Sequence, residues 1–339
     1  MRILAAVVVL STQLLLIDGA GQTSQAAAPP VKLLFANGGI SNSAASLWIA
    51  KDQGIFRKYG IDADPVFIIG GRAAQAMLAG QVPVGLFAAT HAINAVAGGG
   101  DLVMLLGIDN SLGYSFIARP EINSAEELKG KKVATGTPSG SAALSTYVAL
   151  DYLGLVPRRD NVVLIQIGGE PERVAALRAG TVAATSLSQE YGQLVTAEGY
   201  RVLLDTSKEN IPFQATGLVT SRRLIKSDPQ LIENVVKAIV EGVAFIHNLA
   251  NKKVVEQTLA KYLRLDKPER VEKAYQDLRK RLSRKPCPTI PGLASVLKLM
   301  AQHGINAKAA QLKPEDVVDM SFCKRLDESG FFDRLYQGF

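Results

Sequence analysis

One pattern is written into this chain twice. Ser41 to Val82 reads SNSAASLWIAKDQGIF…IIGGRAAQAMLAGQV, and Ser139 to Val182 reads SGSAALSTYVALDYLGL…IQIGGEPERVAALRAGTV, at a spacing of roughly one hundred residues. Ser41, Ser43, Ala44 and Ala45 answer to Ser139, Ser141, Ala142 and Ala143, and Gly70, Gly71, Ala79, Gly80 and Val82 answer to Gly168, Gly169, Ala179, Gly180 and Val182. Each copy alternates strand and helix signals as a β-α-β-α-β unit. The period is too long for a solenoid, whose repeats run about 20 to 50 residues. Two lobes of like topology facing a shared cleft fit it, and clefts between lobes are where small molecules bind.

The length of 339 residues suits two ordinary cores, because one core stops growing near about 250 to 300 residues. The formal net charge of +7 is concentrated: Asn251 to Lys285 holds 12 Lys or Arg against 5 Asp or Glu, the whole of the excess. Within it, PERVEKAYQDLRKRLSRK reads as a solvated helix with Val271, Ala274, Leu278 and Leu282 on its buried stripe. A nucleic-acid groove would interleave aromatics with the cations, so no nucleic-acid partner is expected.

Residues 1–28 read as a secretory signal: Arg2, an apolar run broken by Ser11-Thr12-Gln13, and a small-residue exit at Ala26-Ala27-Ala28. The polar break argues against a spanning helix, which needs about 20 apolar residues. No Cys follows the run to carry a lipid anchor, so the mature chain is expected to be exported, periplasmic and soluble. Cys287 and Cys323 are the only cysteines. In an oxidising compartment they could pair, or they could be two separate buried thiols.

Strands are expected at Val31–Ala36, Pro65–Ile69, Val82–Ala88 and Leu102–Ile108, then at Lys132–Thr135, Val162–Ile167, through Leu187, and at Tyr200–Asp205. Ser124-Ala-Glu-Glu is a capping-box pattern opening the second copy. From Asp228 onward helical periodicity dominates. The expected layout is one lobe from 31–112 and 218–339 and a second lobe from 113–217. The chain therefore crosses between lobes twice, with Gly113 and Gly217 as candidate hinge positions.

In open α/β sheets ligands gather beyond the carboxyl ends of strands. There the first copy places Asn37, Gly39, Ser41, Asn42 and Ser43, and the second places Thr137, Ser139, Gly140 and Ser141. Their hydroxyls and free N–H groups at helix starts suit an anion or strong acceptor. Arg72, Thr90 and His91 extend the candidate site in the first copy, Ser188 and Glu190 in the second. Arg72 favours an anionic ligand, whereas Glu190 would favour an amine. Catalytic signatures are missing: there is no G-x-S-x-G, H-E-x-x-H, C-x-x-C or Walker loop. Three scattered histidines suggest no metal cluster, and no cofactor is expected.

At LWIAKDQGIFRKYGIDADPVFIIGG…AMLAGQVPVGL and AEELKGKKVATG the chain resembles the solute-binding proteins of ABC importers in the nitrate, sulfonate and taurine group, related to the thiamine-precursor binders. The resemblance implies an α/β, type II periplasmic-binding-protein fold. It also implies a monomer that delivers a small polar, anionic solute (sulfonate-, nitrate- or carboxylate-like) to a membrane permease. It places binding at Asn37 to Ser43, Thr90, Ser139 to Ser141 and Ser188 to Glu190. Two alternatives accompany it: a pyrimidine-forming enzyme of the same fold, whose cysteine-rich iron motif this chain lacks, and a sensor acting on a membrane receptor.

Overall fold

A computed structural model describes residues 29–209 and 211–338, so the expected signal segment lies outside the described residues. Ten strands follow in chain order: β1 (Val31–Asn37), β2 (Ile61–Phe67), β3 (Val84–Ala88), β4 (Leu102–Asp109), β5 (Tyr114–Ala118), β6 (Lys132–Thr135), β7 (Val163–Gln166), β8 (Ala184–Ser188), β9 (Arg201–Asp205) and β10 (Thr216–Ser221). They form two five-stranded sheets, ordered β2-β1-β3-β10-β4 and β7-β6-β8-β5-β9.

The two orders are one order used twice, with β6, β7 and β8 repeating β1, β2 and β3. In the first sheet β1 pairs in parallel with β2 and β3; in the second, β6 pairs in parallel with β7 and β8. The turn entering the third strand is also repeated. Gly80 (φ 73°) and Gly180 (φ 71°) both take the left-handed conformation that glycine alone adopts without strain.

Two elements differ from the sequence reading. The two segments expected as strands crossing between lobes also complete the sheets: β5 lies antiparallel between β8 and β9, and β10 lies antiparallel between β3 and β4. Both sheets are therefore mixed rather than parallel. The change of sheet is confined to residues 110–113 and 206–215. Gly217 is not a hinge but a packed strand position, where a Cβ would lie 2.5 Å from Leu106 O and from Met104 Sδ. The capping pattern at Ser124 yields only a short 3₁₀ turn, Glu126–Leu128, with Glu127 accepting from the Asn123 N–H at 3.1 Å.

Burial explains where the tail goes. One face of the first sheet is covered by the helices Ala45–Asp52, Pro229–His247, Lys252–Leu263 and Pro268–Arg281, with Trp48, Ile239 and Tyr275 essentially inaccessible. Helix Pro229–His247 approaches Ala45–Asp52 so closely that a Cβ on Gly242 would lie 2.5 Å from Ser46 O. The opposite face carries Gly70–Leu78, Ala89–Ala97 and Ile290–Gln302. This second cluster also takes in Leu144 and Val148 from the second lobe's helix Ser141–Tyr152. Tyr147 stacks on His303 at 4.6 Å, and His303 Nε2 meets Asp151 Oδ2 at 2.9 Å, so the tail touches both lobes. Cys287 and Cys323 are paired, with Cα atoms 5.8 Å apart, which decides between the two readings of these cysteines.

Candidate functional site

Two helix starts that carry the expected serines have no side-chain caps. In the first lobe a 3₁₀ turn, Asn42–Ala44, precedes helix Ala45–Asp52. Ser41 is its N-cap residue, yet its Oγ is engaged with Ser43 Oγ at 2.8 Å rather than with a helix N–H. Thr216, at the start of β10, donates to Ser43 Oγ at 3.5 Å. Asn37 is buried at the end of β1, and its Oδ1 accepts from Gly39 N–H at 3.4 Å.

In the second lobe helix Ser141–Tyr152 starts from Gly140, again with no side-chain cap. Neither Ser139 nor Ser141 is spent on capping, and the first N–H groups of a helix have no partner within it. Ser139 is buried and held at φ 65°, a left-handed conformation that costs energy in a residue other than glycine. Thr137 closes the turn beneath it, its carbonyl accepting from Gly140 N–H at 2.9 Å.

The other expected residues have different surroundings. Asn42 is turned into the protein, donating to Ala274 O at 3.2 Å, which ties the first tip to the tail helix Pro268–Arg281. Arg72 is exposed. Thr90 is buried at the carboxyl end of β3, with its hydroxyl oxygen unpartnered. His91 packs on Gly70, where a Cβ would lie 2.2 Å from the ring; burial lowers its pKa to about 4, so it is neutral at physiological pH and adds no charge.

The corner after the second strand is filled differently in the two lobes. Its helices are Gly70–Leu78 and Glu170–Arg178, so Gly70 corresponds to Glu170, and Arg72 corresponds to Glu172. The glycine admits the His91 ring. In the second lobe the Glu170 carboxylate fills the corner and accepts from both Ser188 N–H and Ser188 Oγ at 2.7 Å. Arg173, almost fully buried, lies 3.4 Å from Glu170 and donates to Gly168 O. Burial pushes the Glu170 pKa up, against the pull of Arg173 and Ser188, although 21% of its side chain still meets solvent.

Sequence reasoning missed the rest of this charged cluster. Asp109 ends β4, Tyr114 begins β5, and Arg281 ends the tail helix with its guanidinium 3.6 Å from Asp109. Arg281 also sits beside Glu190 and Tyr114; these neighbours and Asp109 hold its pKa up although burial opposes the charge. Gln193 of the second lobe donates to Asp277 of the tail helix at 3.3 Å. The helix read as a solvated face thus touches the second lobe, with Arg281 turned inward. The signal was its register: Arg281 follows Leu278 by three residues and Ala274 by seven, which puts a cation on the buried stripe itself. Ile40, Phe67 and Ile69 are exposed where β1 and β2 end, which gives the first lobe an apolar rim.

Among the described residues no group of His, Cys, Asp and Glu has the arrangement to hold a metal ion, and no helix is long and apolar enough to cross a membrane. A family model described as NMT1/THI5 like matches residues 41–251, more than half of the chain. The chain belongs to the NMT1/THI5-like family. No curated protein sequence matches it. Among solved structures, this member of the family is similar to a protein of Bordetella bronchiseptica RB50, with TM-score 0.73, 22% identity, and coverage of 88% of this chain and 98% of that one. The alkanesulfonate-binding protein SsuA from Xanthomonas axonopodis pv. citri, bound to MOPS, gives TM-score 0.66 at 20% identity, covering 87% and 100%. The periplasmic nitrate-binding protein NrtA from Synechocystis PCC 6803 gives 0.66 at 15%, covering 88% of each chain. At such identities the likeness is one of fold, and the fold is the two-lobed architecture of periplasmic binding proteins.

Proposed function

We propose that this NMT1/THI5-like chain is an extracytoplasmic solute-binding subunit. It captures a small polar solute between its lobes and delivers it, as a monomer, to a membrane permease of an ABC importer. The observation that carries this reading is the pair of uncapped, serine-bearing helix starts, at Ser41–Ser43 and Ser139–Ser141, set on two sheets of identical strand order. No bond is made or broken. Closure buries the solute, and only the closed state docks productively on the permease. The Cys287–Cys323 disulfide supports a place outside the cytoplasm, where such bonds persist. The sulfonate- and nitrate-binding proteins of the same fold support the same class of role.

The test begins with a thermal-shift screen across sulfonates, carboxylates, nitrate, pyrimidines and amines. A ligand at about 100 times its Kd stabilises by about 2.7 kcal/mol. X-ray scattering with the best hit is expected to show a smaller radius of gyration, because the lobes close on it; identical profiles with and without the saturating hit count against capture by closure.

Replacing Ser139 and Ser141 together by leucine is expected to weaken binding of that hit at least tenfold while the circular dichroism spectrum stays native, since each lost hydrogen bond to a polar ligand is worth about 1 kcal/mol or more. Unchanged affinity in calorimetry removes this tip from the site.

A further inference from the structure

Among the described residues the two repeated halves, 31–109 and 114–205, share no side-chain hydrogen bond or ion pair. Away from the crossings at 110–113 and 206–215, every such tie between the lobes has one partner in the tail. Gln193 Nε2 donates to Asp277 Oδ2 at 3.3 Å. Asp151 Oδ2 meets His303 Nε2 at 2.9 Å and accepts from Gln302 Nε2 at 3.4 Å. The Tyr147 ring stacks on His303, and helix Ile290–Gln302 packs on helix Ser141–Tyr152. Two successive tail helices, Pro268–Arg281 and Ile290–Gln302, thus each hold one helix of the second lobe.

The helices held in this way are the ones that carry the candidate site. Ser141 opens helix Ser141–Tyr152, and Asp151 lies near its other end. Glu190 is in the first turn of helix Gln189–Thr196, and Gln193 follows it by three residues, on the same face. A short helix is a rigid element, so a grip on its body fixes where its start points. The first tail helix also reaches the other tip, because Ala274 O accepts from Asn42 Nδ2 at 3.2 Å. It therefore links the Ser41–Ser43 tip to helix Gln189–Thr196. Between the two tail helices lies Cys287, crosslinked to Cys323 in the helix that packs on β4, so the pair is tied to the first lobe.

We infer that the tail is the clasp between the lobes: Asp277 and the pair Gln302 and His303 are positioning residues that hold helices Gln189–Thr196 and Ser141–Tyr152, and with them the second-lobe tip, against the first lobe. The clasp acts with or without a solute, so the inference goes beyond the capture reading and is independent of what charge the solute carries. Its consequence for capture is quantitative. A solute that needs both tips in place binds with an apparent affinity scaled by the fraction of molecules already clasped. The tail sets that fraction, and a solute adds its own contacts to it.

The experiment measures the distance between lobes in the intact mature protein with no solute added. Spin labels on Asp64→Cys and Lys131→Cys, exposed positions on the first and second lobes, report it by double electron–electron resonance; Cys287 and Cys323 are paired and take no label. Combining Asp151→Ala with Gln193→Ala is expected to lower the ratio of short to long distances about tenfold, the factor equal to about 1.4 kcal/mol. Gln193→Glu, which sets a like charge against Asp277 and keeps the side chain, is expected to move the distribution the same way, and it decides the matter should the double variant fail to fold. Arg178→Gln breaks an ion pair with Glu198 inside the second lobe and is expected to change nothing. Distributions that coincide for the unaltered protein and the tail-contact variants overturn the inference, and capture of a solute still stands. An equal shift from Arg178→Gln also overturns it, because loss of any surface pair would then loosen the lobes. If the variants shift the distances while no compound of the screen stabilises the protein, the capture reading falls and the clasp stands.

Discussion

Replacing Cys287 and Cys323 by serine is expected to lower unfolding stability by about 4 kcal/mol, the largest effect of any change considered. The crosslink closes a loop with a sequence separation of 36. The chain-entropy estimate for a loop of that length is about 4 kcal/mol, from freedom denied to the unfolded chain. The bond also fixes geometry that the cleft uses. Cys287 O accepts from Asn110 Nδ2 at 3.0 Å, and Pro286 O accepts from Gly107 N–H at 3.0 Å, so the segment just after Arg281 is fastened beside the first crossing. Cys323 comes from the helix Ser321–Glu328, on the buried side of β4. Urea unfolding of the oxidised protein against the double serine variant measures the difference. A change below about 1 kcal/mol would mean that the unfolded chain keeps this loop closed without the bond.

Acidification is expected to cost nearly as much through one residue. His91 has its pKa lowered from 6.5 to about 4 by burial, so folding favours the neutral ring. The sign follows directly: the contribution is fully present above pH 6.5 and is lost as pH falls from there through about 4. The unfolded chain binds a proton across that window that the folded chain refuses. The difference amounts to about 3 kcal/mol at the acid end, from about 1.4 kcal/mol for each pH unit of displacement. His91→Phe keeps a flat ring over Gly70 and removes the proton, so its stability is expected to fall less steeply across this window than that of the unaltered protein. Parallel curves from urea midpoints at several pH values would exclude His91 as the source. Glu170 has the opposite pH profile. Its raised pKa makes a contribution that is full below the ordinary carboxylate range and declines as pH rises through the folded value.

The repeat was legible because its physical cause is local. Strand alternation, the left-handed turns at Gly80 and Gly180, and the small residues ahead of helices each need only neighbours in sequence. β5 and β10 were legible as crossing strands but not as members of the sheets, because YSFIA and TGLVTS pair with antiparallel partners far along the chain. The helix tips at Ser41–Ser43 and Ser139–Ser141 were read from composition and position. Glu170, Arg173, Asp109, Tyr114 and Arg281 were not, since three distant segments bring them to one cluster.

The strand order also dictates a timetable. β4 pairs along its length only with β10, apart from a single bridge between Met104 and Val318, and β10 is made after the whole of the second sheet. As the polypeptide is synthesised, the half begun later can complete its hydrogen bonding once residue 205 is available. The half begun earlier must wait, its outermost ribbon unpaired, until residues 216–221 slide in between β3 and β4. The amino-terminal half is therefore the last to be finished.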